Sequence, residues 1–514
     1  MDPESRTARS IKNSYVALIF YAISFVLSFF SRKIFLDHLG PDILGLNATA
    51  ASLFGFLNLA ELGIGTAIAV TLYKPLQAKD QQAINEIVSL QGWFYARVAA
   101  FIIFGSCVMM CFFPRIFGNT GLPLWYAYAT FSVMLFGSML GYFANYRQIV
   151  LGASQQGYKI QRTVGTAGII RVLVQMAAVS WLPNPYVWWL VIQFLFAILC
   201  AWILDRQIKI TAPGLKTRIS DGAALRKKYP DILTKVKQLF VHKIGAFALN
   251  QTSPIIIYAY ATLTMVTMYG NYTAITQGMS AILSSMFSSM NAGVGNLIAE
   301  GKKDRIMRVF RELFSSRFVV IATFSIGFYL LTAPFVTLWI GAEYIFDRSI
   351  VLLIVVLFFI RTSRETVDSY INGYGLFQDI WAPGAEAALN IGLSVLFGYF
   401  WGLKGILCGV LLSQIAIILI WKPYLLFKKG LEEPISIYVK IYAKHVAIML
   451  LCGFLASKIM GLIPIDPAGG WLKFAAVTGI VAIFCVAFMT SILYLTENGM
   501  RDFFHRAGDI IHKR

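Results

Sequence analysis

Four ionisable residues share one face of an otherwise apolar segment: Arg361, Arg364, Glu365 and Asp368 in "FFIRTSRETVDSYING". Their spacing of three, four and seven makes a single helical stripe. Two chemistries are open to it. Arg361 with Glu365 and Arg364 with Asp368 are i,i+4 pairs that can neutralise each other. Guanidinium forks in a wet cavity can also hold an anion such as phosphate or pyrophosphate. A second stripe is neutral, with Thr273, Gln277, Ser280, Ser284, Ser288 and Asn291 recurring every three or four residues. Such residues either join helices by hydrogen bonds or form an aqueous wall suited to sugars. Arg171 stands near the middle of its apolar run, too deep to reach the surface, and is the strongest single cavity candidate. Arg147, His242 and Lys243 lie at run ends, where they either snorkel to headgroups or line a cavity mouth. Arg97 and Arg317 are weaker candidates. Glu61, Asp368 and Glu386 are acids able to take a coupling proton or Na⁺.

The elements that hold these residues follow from composition. The 514 residues are 58% hydrophobic and 13% charged, against about 25% charged in an ordinary globular domain. Apolar runs of membrane-crossing length recur throughout. They predict an all-α polytopic membrane protein of about fourteen spans: 12–33, 43–72, 86–113, 122–149, 163–182, 185–205, 238–261, 265–298, 312–338, 348–372, 383–402, 404–427, 441–461 and 471–495. Ser14–Phe30 reads as a retained first span, not a signal peptide. A charge at mid-bilayer costs roughly 2.5–3.5 kcal/mol, so embedded ions imply pairing or a wet cavity.

The net charge of +19 does not point to nucleic acid. Basic residues cluster between apolar spans, as the positive-inside rule would place them. That rule puts both termini in the cytoplasm, with a long basic cytoplasmic loop at 206–237. The segment 496–514 predicts an amphipathic helix on the inner membrane surface, with Met500, Phe503, Phe504, Ala507 and Ile511 on one face. All six cysteines lie in apolar spans, and neither they nor the five histidines have metal-ligand spacing. No metal site is expected. Phosphate-loop, nucleophile-elbow and zinc-hydrolase patterns are missing, so no catalytic residue and no enzyme activity is expected.

A weak internal repeat organises the chain. "ELGIGTAI" (61–68) matches "NAGVGNLI" (291–298), "LQAKD" (76–80) matches "GKKD" (301–304), Pro114 matches Pro334, and "VLGASQQ" (150–156) matches "INGYGLFQ" (371–378). Six spans separate the copies, so the repeat is parallel. The expected organisation is an N-lobe at 1–205, the loop at 206–237, a C-lobe at 238–427, two extra helices at 428–495 and the tail.

Residues 32–80 resemble the N-terminal signature of bacterial polysaccharide flippases, the Wzx-like exporters of the multidrug/oligosaccharidyl-lipid/polysaccharide superfamily. The match lies in Arg32, Leu39-Gly40, Gly45, "ELGIG", "LYKPL" and Asp80, and "LGASQQGYKIQRT" is also similar. The resemblance implies fourteen helices in two six-helix lobes. It implies alternating-access transfer of an undecaprenyl-pyrophosphate-linked oligosaccharide repeat unit across the bacterial cytoplasmic membrane, for surface polysaccharides such as O-antigen or capsule. Implied partners are that lipid-linked oligosaccharide, membrane lipids and other polysaccharide-assembly membrane proteins. No cofactor is expected beyond coupling to a Na⁺ or H⁺ gradient. The family carries no fixed site motif, so the site residues rest on the reading above: Arg171, Arg361, Arg364, Arg147, His242 and Lys243 toward pyrophosphate, and the neutral stripe toward sugars. Rival readings are a cation-coupled multidrug exporter, a peptidoglycan-precursor flippase and, less favoured, a membrane glycan polymerase.

Overall fold

In lipid, every backbone N–H and C=O must find its partner within the chain, and a helix achieves this locally. The computed structural model describes residues 6–61, 63–376, 379 and 381–512; side chains at 6–11, 14, 238–239, 241–251, 288–292, 507 and 509–512 fall outside that description. All regular structure among the described residues is helical. The longer helices are α1 Arg6–Leu57, α2 Ile64–Ala78, α3 Gln81–Cys111, α4 Trp125–Phe143, α5 Gly157–Trp181, α6 Pro185–Thr211, α7 Pro230–Tyr260, α8 Leu263–Ala299, α9 Lys303–Trp339, α10 Arg348–Ser363, α11 Glu365–Tyr374, α12 Trp381–Gln414, α13 Ile435–Leu462, α14 Trp471–Thr496 and α15 Asn498–His512. By packing, the chain divides into two units, Met1–Thr267 and Met268–Arg514.

Nine helical segments among the described residues are long and apolar enough to cross a membrane. Two of them are too long for one crossing. Tyr15–Glu61 and Trp381–Leu431 run 47 and 51 residues, roughly 70 Å of helix or more against a bilayer core of about 30 Å. Each contains a glycine at positive φ, Gly40 (φ 79°) followed by Pro41, and Gly402 (φ 56°). Those backbone angles are open to glycine and closed to most side chains, so the chain turns there. The remaining predicted spans coincide with α7, α8 and α10–α11.

The second predicted span, 43–72, is not one helix. It breaks into a 3₁₀ turn at Asn58–Glu61 and restarts after Gly63, whose φ is 95°. The matching G-x-G of the repeat behaves otherwise: α8 runs through Gly293 and Gly295 uninterrupted, and neither has a positive φ. The tenth predicted span is pinched once, at Arg364, between α10 and α11.

In the first unit, α1 packs on α4, α5 and α7, α2 on α3, and α5 on α6. Leu46, Ile68, Val88 and Phe131 are buried at its centre. Gly165 lets α5 close on α1, since a Cβ there would lie 2.5 Å from Phe20. The stretch 206–237 is anchored rather than loose. Gln81 donates to Gly214 O at 3.0 Å, Ser89 accepts from the Arg218 amide at 2.9 Å, and Lys228 and Tyr229 both reach Glu86, at 2.6 and 2.7 Å.

In the second unit, α9 is the centre, packed by α14 and α15, while α13 lies on α14 and α10 on α12. Two π-helical turns, Ile415–Trp421 and Phe427–Leu431, flank a short helix that begins at Lys422. The apolar face of α15 is turned onto protein: Met500 is 2% exposed, and Phe503 packs against the unit's core. Phe504 is 44% exposed, whereas the Ala507 and Ile511 side chains lie outside the described residues. Arg506 pairs with buried Glu312 of α9 at 2.8 Å.

Candidate binding cavity

Arg171 lines a cavity of about 270 Å³ in the first unit, enclosed by α1, α5 and α6. Arg32 of α1 stands in the same wall, with Ser28, Gln175 and Gln193. None of the lining residues is acidic. The Arg171 Nε is buried without a hydrogen-bond partner among the described residues. Arg32 donates from Nη2 to the Thr267 carbonyl at 3.3 Å. Gln175 is fixed by donating to Trp189 O at 3.0 Å and to Gln193 Oε1 at 3.3 Å. Two guanidiniums, hydroxyls and amides around a void with no carboxylate make a site for an anion. Arg32 was not singled out by spacing or depth; its signal lay only in the stretch that resembles the flippase signature.

The other candidates are placed as follows. Arg147 pairs with Asp205 at 2.5 Å, and Asp205 also takes Lys209 at 2.6 Å. Glu61 accepts from two phenols, Tyr95 at 2.9 Å and Tyr142 at 3.0 Å, and Tyr142 also donates to Asn58 at 3.2 Å. His242 and Lys243 lie outside the residues whose side chains are described.

In the second unit the charged stripe is knitted together. Arg364 pairs with Asp368 at 2.6 Å, and Asp368 also takes Lys422 at 2.9 Å. Glu386 of α12, 6% exposed, feels the charges of Arg364, Lys422 and Arg361. Arg317, 1% exposed, donates to Ser369 Oγ at 3.2 Å and Phe287 O at 3.4 Å. On α8, Ser284 donates to Glu365 at 2.8 Å and Thr273 to its own helix at Tyr269 O, also 2.8 Å. Gln277 is exposed and Ser280 half-buried, while Ser288 and Asn291 fall outside the described side chains. Arg171 thus belongs to one unit, and Arg361 and Arg364 to the other. No group of three His, Cys, Asp or Glu among the described residues could hold a metal ion.

No protein-family model matches the chain, and no curated protein sequence does. Solved structures do. The chain is similar to the lipid II flippase MurJ in an inward closed conformation, at 14% identity and TM-score 0.68, over 93% of this chain and 99% of that one. It is also similar to an inward-facing multidrug resistance MATE family transporter of the MOP superfamily, at 13% identity and TM-score 0.58, over 82% and 99% of the two chains. An outward-facing transporter of that family matches at 12% identity and TM-score 0.53, over 84% and 97%.

Proposed function

We propose, from a fold held in common with a lipid II flippase and with multidrug transporters of the MOP superfamily, that this chain is a flippase for an undecaprenyl-pyrophosphate-linked oligosaccharide. It carries the repeat unit from the inner to the outer leaflet of the bacterial cytoplasmic membrane by alternating access, in surface polysaccharide synthesis. The supporting observation is the basic cavity. Arg32 and Arg171 meet there with no acid in the wall, and a low-dielectric site strengthens their attraction for a dianion. An organic cation would meet repulsion in the same place, which disfavours the drug-exporter reading. Coupling to a Na⁺ or H⁺ gradient is assigned to Glu61, whose two hydrogen-bond partners are neutral phenols. A peptidoglycan-precursor flippase is the second reading, favoured by the likeness to a lipid II flippase over 93% of the chain. The basic cavity serves either cargo, so the glycan separates the two.

Mass spectrometry of lipid retained by gently extracted protein identifies the cargo, and a prenyl-pyrophosphate glycan is the expected result. Arg32→Ala and Arg171→Ala are each expected to weaken cargo binding about 10- to 100-fold, since a charge-assisted hydrogen bond contributes about 1.5–3 kcal/mol. Melting temperature checks that both variants are folded. Full transport by both would sink the phosphate-holding role.

A further inference from the structure

A second cavity of the first unit is larger, about 650 Å³, inside the range of about 300–1,000 Å³ common for ligand sites. Its wall comes from α1 (Asp42, Thr49), from the chain around the Phe113–Phe117 turn (Arg115, Asn119) and from the α7–α8 junction (Tyr258, Thr262). We propose that it is a carbohydrate subsite for the sugars of the lipid-linked cargo, an inference that rests on the function proposed above.

The chemistry of the wall is neutral overall and rich in paired donor–acceptor groups. Asp42 accepts from Thr264 Oγ1 at 2.6 Å through one oxygen and keeps its second as an acceptor. Arg115 is exposed and offers donors. Thr49 is 1% exposed, yet its Oγ1 has no hydrogen-bond partner among the described residues. That oxygen is closed off from the void, so the groups open to a ligand are those of Asp42, Arg115 and Asn119. Tyr258 is fixed by donating to Ile116 O at 2.6 Å and by stacking on Phe117 at 5.7 Å. A pyranose presents vicinal hydroxyls, each both donor and acceptor, and an apolar C–H face. An acid, a guanidinium, an amide and hydroxyls answer the first, and a rigid phenol ring answers the second. A phosphate would meet the Asp42 carboxylate here and is better served by the basic cavity.

The two cavities are lined by different residues and are linked through the start of α8. Thr267 donates from Oγ1 to Pro41 O at 2.6 Å and accepts from Arg32 at its carbonyl. Thr264, one turn earlier, holds Asp42. The helical rise between these threonines is only about 4.5 Å. One turn of α8 therefore ties Arg32 of the basic cavity to Asp42 of the second.

The test uses the full chain in lipid nanodiscs. Saturation-transfer NMR reads binding of a panel of neutral di- to tetrasaccharides, and calorimetry reads inorganic pyrophosphate separately. Arg115→Gln and Asp42→Asn are each expected to weaken saccharide binding about 5- to 10-fold, the loss of one hydrogen bond, with pyrophosphate affinity unchanged. Asn119→Ala, at an exposed position, gives the same reading if the substitution at half-buried Asp42 loosens the fold. Pyrophosphate binding without any saccharide binding overturns the subsite alone, as does saccharide binding that none of the three variants changes. Saccharide binding that these variants weaken, without pyrophosphate binding, upholds the subsite and removes the basic-cavity reading.

Discussion

Glu61 sits in the break between α1 and α2, held by Tyr95 and Tyr142. A glutamine keeps one acceptor for these phenols and removes the titratable group. Glu61→Gln is expected to fold with an unchanged melting temperature and to lose the proposed ion dependence of transport. Glu61→Ala takes an acceptor from two buried tyrosines, of which Tyr142 keeps Asn58, and is expected to destabilise by about 1–3 kcal/mol, read by thermal melting. Transport by the Gln variant with unchanged ion dependence would leave the carboxylate as packing alone. Asp368 has the opposite character, because two cations depend on it. Asp368→Asn is expected to cost about 1–3 kcal/mol, less than breaking a fully buried ion pair, because the Arg364, Asp368 and Lys422 side chains are half-buried. At this scale depth and local spacing were legible in the sequence. The position of Arg171 and the Arg364–Asp368 pair could be read from them. Arg147 with Asp205 could not, because the partners are 58 residues apart and no periodicity links them. Arg32 beside Arg171 escaped for the same reason.

Helix contacts explain two glycines whose purpose no pattern announces. A Cβ on Gly45 would lie 2.1 Å from the Leu263 carbonyl oxygen, and one on Gly222 would lie 2.2 Å from Trp93. The first obstacle is backbone, which cannot step aside. Gly45→Ala is therefore expected to destabilise the first unit by at least about 1–3 kcal/mol, the range of overpacking. Gly222→Ala meets the Trp93 Cβ and Cγ, which turning the ring does not clear, so it is expected to destabilise by a similar amount. Thermal melts check both variants, and an unchanged melting temperature in either would contradict the overpacking. Spacing alone told the two G-x-G copies apart poorly. One unwinds at Gly63 and the other stays helical, since a glycine permits a break without requiring one. The basic stretch 206–237 read as a loop for a related reason. Its polar residues spend their hydrogen bonds on α3, and a partner so far away leaves no local trace.

For the whole chain, lipid made the architecture easy to read: bilayer thickness sets helix length, the turn at Gly40 sits between two predicted spans, and that at Gly402 falls on the last residue of one. The proposed orientation, both termini cytoplasmic, is carried by 44 basic against 25 acidic residues and their placement between spans. A fluorescent protein fused after residue 514 is expected to glow, and alkaline phosphatase inserted near Gly341 to be active. The reverse pattern would invert the topology. The Arg506–Glu312 pair has one more consequence, in time rather than space. At about 5–20 residues per second of synthesis, Arg506 leaves the ribosome roughly 10–40 s after Glu312. Until then the Glu312 carboxyl of α9 lacks its Arg506 partner, at a position the finished unit buries. Through that interval the nascent second unit keeps open the face of α9 that α15 covers, and membrane quality-control proteases have that long to find it.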